Sequence, residues 1–157
     1  MGNPEPFRTV AFKLSALGYA VSKGFKEILE PFELHPREFA VLRAVSVEDG
    51  QSQQALGDRL QIPRSRMVAI VDELESRGFL ERRSHEADRR VREIHVTASG
   101  RKVIEQAFAQ ALAYERQVTE PLTDRERTEL FELLERLSAG LGLAGAHPAL
   151  HDGDHTD

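Results

Sequence analysis

The sequence predicts a mainly α-helical fold with a small two- to three-stranded β-wing, a winged helix-turn-helix set between long N- and C-terminal helices. Three observations lead there. Two short amphipathic segments lie close together near the middle of the chain, the apolar period then switches from 3.6 to 2, and basic residues concentrate in the same stretch.

The flanking helices come from apolar spacing. Phe7, Val10, Leu14, Leu17, Val21, Phe25, Ile28, Leu29 and Phe32 recur at three- and four-residue steps, one stripe of a long helix. At 1.5 Å per residue, residues 7–32 would span about 39 Å, more than a small domain covers by itself. Part of that stripe therefore needs a second surface to pack on. Pro36 starts another helix carrying Phe39, Val41, Leu42 and Val45, which ends near Glu48, Asp49 and Gly50.

The central pair follows. Ser52 is a good N-cap for a short helix whose apolar positions are Ala55, Leu56 and Leu60. After Ile62, Pro63 suits the first position of the next helix, and Gly78 stops it. A 100° wheel turns Met67, Ile70, Val71 and Leu74 inward and leaves Ser65, Val68, Ala69, Asp72 and Ser76 outward. Strands are expected over 79–84 and 92–97, the second alternating Ile94 and Val96 with Glu93 and His95. Residues 85–91 between them read as a projecting basic loop. Helical spacing resumes at Ala98 and breaks at Pro121; Thr123 and Glu126 form a capping box for a last helix with Leu130, Leu133, Leu134, Leu137 and Leu141.

At 157 residues the chain is about one domain. Within the single domain 1–157, residues 36–97 form the winged lobe, 7–32 and 98–141 the long helices, and 142–157 a flexible tail. Mean hydropathy is −0.42 and no apolar run reaches the length of a membrane-spanning helix. With no secretory leader evident, a cytoplasmic location is expected. The absence of cysteine excludes disulfides, Cys-ligated metals and thiol redox switching.

The net charge of −5 hides a segregated pattern. Residues 59–102 carry eleven Lys/Arg against seven Asp/Glu, a net +4, and the remainder carries −9. A basic winged helix-turn-helix suits duplex DNA, with the second helix in the major groove and the wing at the neighbouring minor groove. Arg64 and Arg66 flank the exposed first turn, and Val68 and Ala69 can meet thymine methyls.

The stretch from Ile62 to Leu80, with Val71-Asp72, Leu74-Glu75 and Arg77-Gly78, followed by Asp88-x-Arg90 and Thr97-x-x-Gly100, resembles the MarR family of bacterial transcriptional regulators. The resemblance covers most of the chain. It implies a homodimer joined through the N- and C-terminal helices, DNA as partner, and release of DNA on binding a small anionic or phenolic effector. Carried over residue by residue, it puts Arg64, Ser65 and Arg66 on the recognition helix, Arg89 and Arg90 at the wing tip, and Asp88 where it orients a wing arginine. At Val68 and Ala69, where many relatives have a polar and a basic residue, the chain departs from the pattern. Readout then shifts toward thymine methyls, the flanking arginines and DNA shape.

For an effector between the dimerisation helices and the DNA-binding lobe, Tyr19, Lys23, His35 and Arg37 pair an aromatic with cations. The same four also suit a plain surface or an interface between subunits. His147, His151 and His155 recur every four residues, but Pro148 and Gly153 oppose a helix there and no metal site is assigned. No cofactor is expected. An enzyme is not expected either, since the chain lacks a phosphate loop, compact metal-ligand spacing and a nucleophile paired with a base. The alternative is a winged-helix protein-interaction module that does not bind DNA.

Overall fold

The computed structural model describes residues 9–84 and 92–143. In chain order these form α1 (Val10–Leu29), a 3-10 turn (Glu30–Phe32), α2 (Pro36–Val47), β1 (Gln51–Ser52), α3 (Gln53–Leu60), α4 (Arg64–Ser76), β2 (Leu80–Ser84), β3 (Arg92–Val96), α5 (Ala98–Thr119) and α6 (Asp124–Gly140).

Helix α1 starts at its N-cap Thr9, whose hydroxyl accepts the Phe12 N–H at 3.2 Å. The expected single helix to Phe32 stops at Leu29. Pro31 has no N–H for the i−4 carbonyl, so the backbone tightens into the 3-10 turn, and Glu33 then takes a left-handed conformation (φ 53°). The stripe is also divided. Phe25, Ile28 and Leu29 join the core, whereas Val10, Phe12, Leu14, Leu17 and Val21 remain exposed within the chain.

Helix α2 is the centre of the lobe. Phe39, Ala40, Val41, Leu42 and Val45 are buried, and Phe39 meets Phe25 edge to face at 5.4 Å. Its neighbours are α1, α3, α4, α5 and β3. Ser52 caps α3 by accepting the Ala55 N–H at 3.1 Å, as the sequence predicts. Of the apolar positions read there, Ala55 faces out; the buried positions of α3 are Leu56 and Gly57. Gly57 is there because the chain turns back tightly. Gln61 is left-handed (φ 54°), and the Ile62 N–H reaches the Gly57 carbonyl at 3.0 Å.

Helix α4 begins one residue later than expected, with Pro63 as the extended N-cap rather than the first helical residue. Its wheel is as read: Met67, Ile70, Val71 and Leu74 are buried and the opposite face is open. At its end Gly78 (φ 71°) donates to Glu75 O at 2.9 Å and Phe79 N–H to Leu74 O at 2.9 Å, a Schellman ending.

The sheet has three antiparallel strands in the order β1-β3-β2. In register, Ile94 of β3 lies between Gln51 of β1 and Arg82 of β2. Thr97, placed at the end of the second strand by its alternation, instead caps α5 by accepting the Gly100 N–H at 3.0 Å. In α6 the capping box forms as expected: Thr123 N–H donates to Glu126 Oε2 at 2.8 Å and Glu126 N–H to Thr123 Oγ1 at 3.3 Å. No residue of α6 is buried, and its leucine stripe lies open. Among the described residues no helix is long and apolar enough to cross a membrane.

Candidate nucleic-acid interface

The open face of α4 presents Arg64, Ser65, Val68 and Ala69 to solvent, with Arg66 half-buried beside them and Asp72 and Ser76 further along. No side chain caps the helix start and its first turn holds no acidic residue. The first turn of a helix has N–H groups without intrahelical acceptors, an arrangement that favours phosphate oxygens. Arg64 borders an open hollow of about 230 Å³ between α3 and α4, together with Gln53, Gln54 and Asp58.

Several arginines counted in the basic segment are engaged within the protein. Arg59 bonds Glu48 at 2.6 Å and the Ala44 carbonyl at 3.1 Å, fastening α3 to α2. Arg83 pairs with Glu81 along β2. Arg77, the C-cap of α4, donates to the carbonyls of Glu33 at 2.7 Å and Phe32 at 3.1 Å, and lies 3.5 Å from the buried carboxylate of Glu38. Its guanidinium also sits over the Phe79 ring at 4.8 Å.

Arg82 joins the wing to both helices of the pair. From β2 its guanidinium reaches Glu75 and Asp72 on α4, the latter at 2.5 Å, and Gln53 on α3 at 3.2 Å. Its backbone N–H donates to the other Glu75 oxygen at 3.1 Å. Sequence reasoning missed Arg77 and Arg82 as framework residues. The available signal was Asp72 and Glu75, three positions apart on one side of a helix next to an arginine-bearing strand.

A second polar cluster sits where the sheet meets α2. His95 Nδ1 lies 2.9 Å from Asp49 Oδ2 and Nε2 lies 3.2 Å from Glu93 Oε2, while the other Asp49 oxygen accepts the Val96 N–H at 2.8 Å. Only the protonated imidazole offers a donor to both carboxylates. The hydrogen bond to Asp49 chiefly raises the His95 pKa above its ordinary value, aided by Glu93 and opposed by burial and Arg83. Burial would raise the Asp49 carboxyl, yet the Val96 N–H and His95 outweigh it and hold that group below its usual range.

The residues considered for an effector are dispersed. Tyr19 is 76% exposed on α1, and Lys23, one turn on, lies 3.9 Å from Glu27. His35 caps α2: its backbone N–H donates to Glu38 Oε2 at 2.8 Å. Of the four, His35 borders an open hollow of about 320 Å³, with Lys26, Glu30, Glu33 and Leu34; Arg37 is half-buried on α2. Asp88, Arg89, Arg90 and the loop 85–91 lie outside the described residues, as do His147, His151 and His155. Among the described residues no three His, Asp or Glu side chains are grouped to hold a metal ion.

A helix-turn-helix made by α3 and α4, its second helix open along one face and flanked by a three-stranded antiparallel wing, defines a winged helix-turn-helix DNA-binding protein. A family model described as the MarR family matches residues 32–91. Over 140 residues the chain is 28% identical to the HTH-type transcriptional regulator PecS of Dickeya dadantii strain 3937, covering 87% of this chain and 84% of PecS. It is 30% identical over 111 residues to the HTH-type regulator YpoP of Bacillus subtilis strain 168, covering 71% of this chain and 78% of YpoP.

Among solved structures, the transcriptional repressor CouR bound to a 23-mer DNA duplex is similar at TM-score 0.77 and 27% identity, over 88% of this chain and 98% of that one. CouR from Rhodococcus jostii RHA1 bound to p-coumaroyl-CoA is similar at TM-score 0.74 and 26% identity, over 87% of this chain and 96% of that one. The chain belongs to the MarR family and is a transcriptional regulator, not an enzyme.

Proposed function

We propose that the chain is a ligand-responsive repressor that binds a pseudo-palindromic operator as a homodimer. The observation that carries this reading is the open face of α4, where Arg64, Ser65, Arg66, Val68 and Ala69 stand together beside the wing. In the major groove Arg64 and Arg66 take a guanine edge or phosphates, and Val68 and Ala69 contact thymine methyls. Arg89 and Arg90, between β2 and β3 in sequence, supply minor-groove contacts, with Asp88 orienting one of them. The DNA-bound CouR structure supports a duplex partner.

Residues 36–97 act as the DNA-binding lobe and residues 7–32 and 98–141 as dimerisation helices. The support is the apolar surface left open along the first half of α1 and all of α6. Two-fold symmetry then sets two recognition helices roughly 34 Å apart, one turn of DNA. The effector is a small anionic or phenolic molecule, for which Tyr19, Lys23, His35 and Arg37 are the candidate contacts; the ligand-bound CouR structure supports small-molecule control. An effector that changes the spacing of the two helices weakens operator binding.

The test is fluorescence anisotropy with the duplex upstream of the chain's own gene and a scrambled control, across a salt series. Specific binding with a slope of log affinity against log salt of several units is expected, reduced by about 0.9 for each phosphate contact removed in Arg64→Ala or Arg90→Ala. Equal binding of both duplexes would overturn operator specificity, and no binding at low salt would overturn DNA binding in favour of a protein-interaction module.

A further inference from the structure

We infer that Arg82 is a positioning residue for DNA binding: it fixes the wing against the recognition helix and sets operator affinity without touching DNA. This rests on the DNA-binding reading above. The guanidinium is directed inward to α4 and α3, where its acceptors are Glu75, Asp72 at 2.5 Å and Gln53 at 3.2 Å. Its side chain is only 20% exposed. One residue thus ties three elements together: β2 through its own backbone, α4 through two carboxylates, and α3 through an amide.

The position in the sheet gives this tie its leverage. Arg82 lies opposite Ile94, which is fully buried and which on its other side pairs with Gln51 of β1. At that cross-section all three strands are locked in register to the core. Beyond it, toward Ser84 and Arg92, β2 and β3 continue as the arm of the wing. A change in the angle at Arg82 is therefore magnified along the arm.

The two carboxylates matter for a second reason. Asp72 lies on the open face of α4 and is 57% exposed. A carboxylate there repels phosphate unless a cation answers it, and Arg82 supplies that cation from the protein side. A lysine delivers a point charge and cannot hold the planar fork of contacts that Arg82 makes.

The test compares Arg82→Gln, Arg82→Lys and the double variant Asp72→Asn/Glu75→Gln in the full chain by anisotropy with the upstream duplex over a salt series. Arg82→Gln should weaken binding about tenfold or more, the size of one lost charge-assisted hydrogen bond, with an unchanged salt slope. Arg82→Lys should recover part of the loss. The double variant, which leaves Arg82 in place without its grip, should also bind more weakly. A slope lowered by about one in Arg82→Gln, or tighter binding by the double variant, would show a direct phosphate contact and overturn the inference.

If the wild type binds no DNA, the regulator reading fails, and hydrogen exchange judges the inference separately. Amides of residues 80–84 should exchange faster in Arg82→Gln and in the double variant, while those of α2 stay protected. Unchanged protection in both variants overturns it. Should Arg82→Gln not fold, the double variant carries the same comparisons.

Discussion

Gly100 is pressed onto the main chain of Phe79: a Cβ at Gly100 would lie 2.0 Å from the Phe79 carbonyl oxygen. Thr97 completes the joint, its hydroxyl donating to the carbonyl of Gly78 at 2.6 Å while it accepts the Gly100 N–H at 3.0 Å. The Thr-x-x-Gly spacing is thus the weld between the end of the wing and the first turn of α5. Gly100→Ala should lower stability by about 1–3 kcal/mol through overpacking against a backbone that cannot yield. The 2.0 Å approach puts the cost in the upper part of that range, so a net loss of about 1–2 kcal/mol remains after the roughly 1 kcal/mol that alanine gains over glycine in a helix. A denaturant midpoint equal to or above that of the wild type would refute the weld.

Stability should depend on pH through Asp49 and His95. Because the folded His95 pKa is raised, its contribution is fully present below the unfolded value of about 6.5 and is lost as pH rises through the folded value. Because the folded Asp49 pKa is lowered, its contribution is present above about 3.9 and is lost as pH falls through the folded value. Wild type should therefore exceed His95→Gln in unfolding free energy most between about pH 4 and 6.5, with the gap narrowing by pH 9. A gap that stays constant from pH 5 to 9 would contradict this.

The leucines of α6 should control assembly. Leu133 and Leu137 are 53% and 45% exposed in the single chain, and together with Leu130, Leu134, Val10 and Leu14 they line an apolar hollow. Replacing both Leu133 and Leu137 with Glu should leave the lobe folded, produce monomers in sedimentation, and reduce operator affinity at least a hundredfold, since each half-site then binds alone. Monomeric wild type, or dimeric variant, would disprove the assignment.

Val68 should read thymine through its methyl group. Replacing thymine by uracil at the contacted positions of the operator removes one methyl each, worth about 0.8 kcal/mol or roughly fourfold in affinity. The wild type should show that loss and Val68→Ala should show less of it. Equal losses in both proteins would place the methyl contact elsewhere.

The helices and the inward face of α4 were readable because burial follows periodicity: Met67, Ile70, Val71 and Leu74 repeat at helical spacing and nothing tertiary overrides them. β1 was not readable. Gln51 and Ser52 carry no strand signal of their own and pair only because β3 offers them a free edge. The outward face of Ala55 was hidden for a similar reason: Gly57, which carries no apolar signal, takes the buried position where the α3–α4 turn brings the Ile62 carbonyl close.

Charge was the least reliable guide to the site. A count of arginines records how many cations a segment has and not where each one is spent. Arg77 finds its partners 39, 44 and 45 residues earlier in the chain, and Arg82 reaches back 29 residues to Gln53. The solvent-facing residues of α4 were easier to place, since the open face of the helix follows from the buried one.

Arg77 also joins the turn between α1 and α2 to the end of α4. Its side chain grips two successive carbonyls of that turn while its backbone caps α4. The turn borders the hollow beside His35, because Glu33 lines it. The helix that Arg77 ends is the one that carries Val68 and Ala69. The guanidinium thus adds a polar link between that turn and α4, beside the apolar core that Leu34 and Leu74 share.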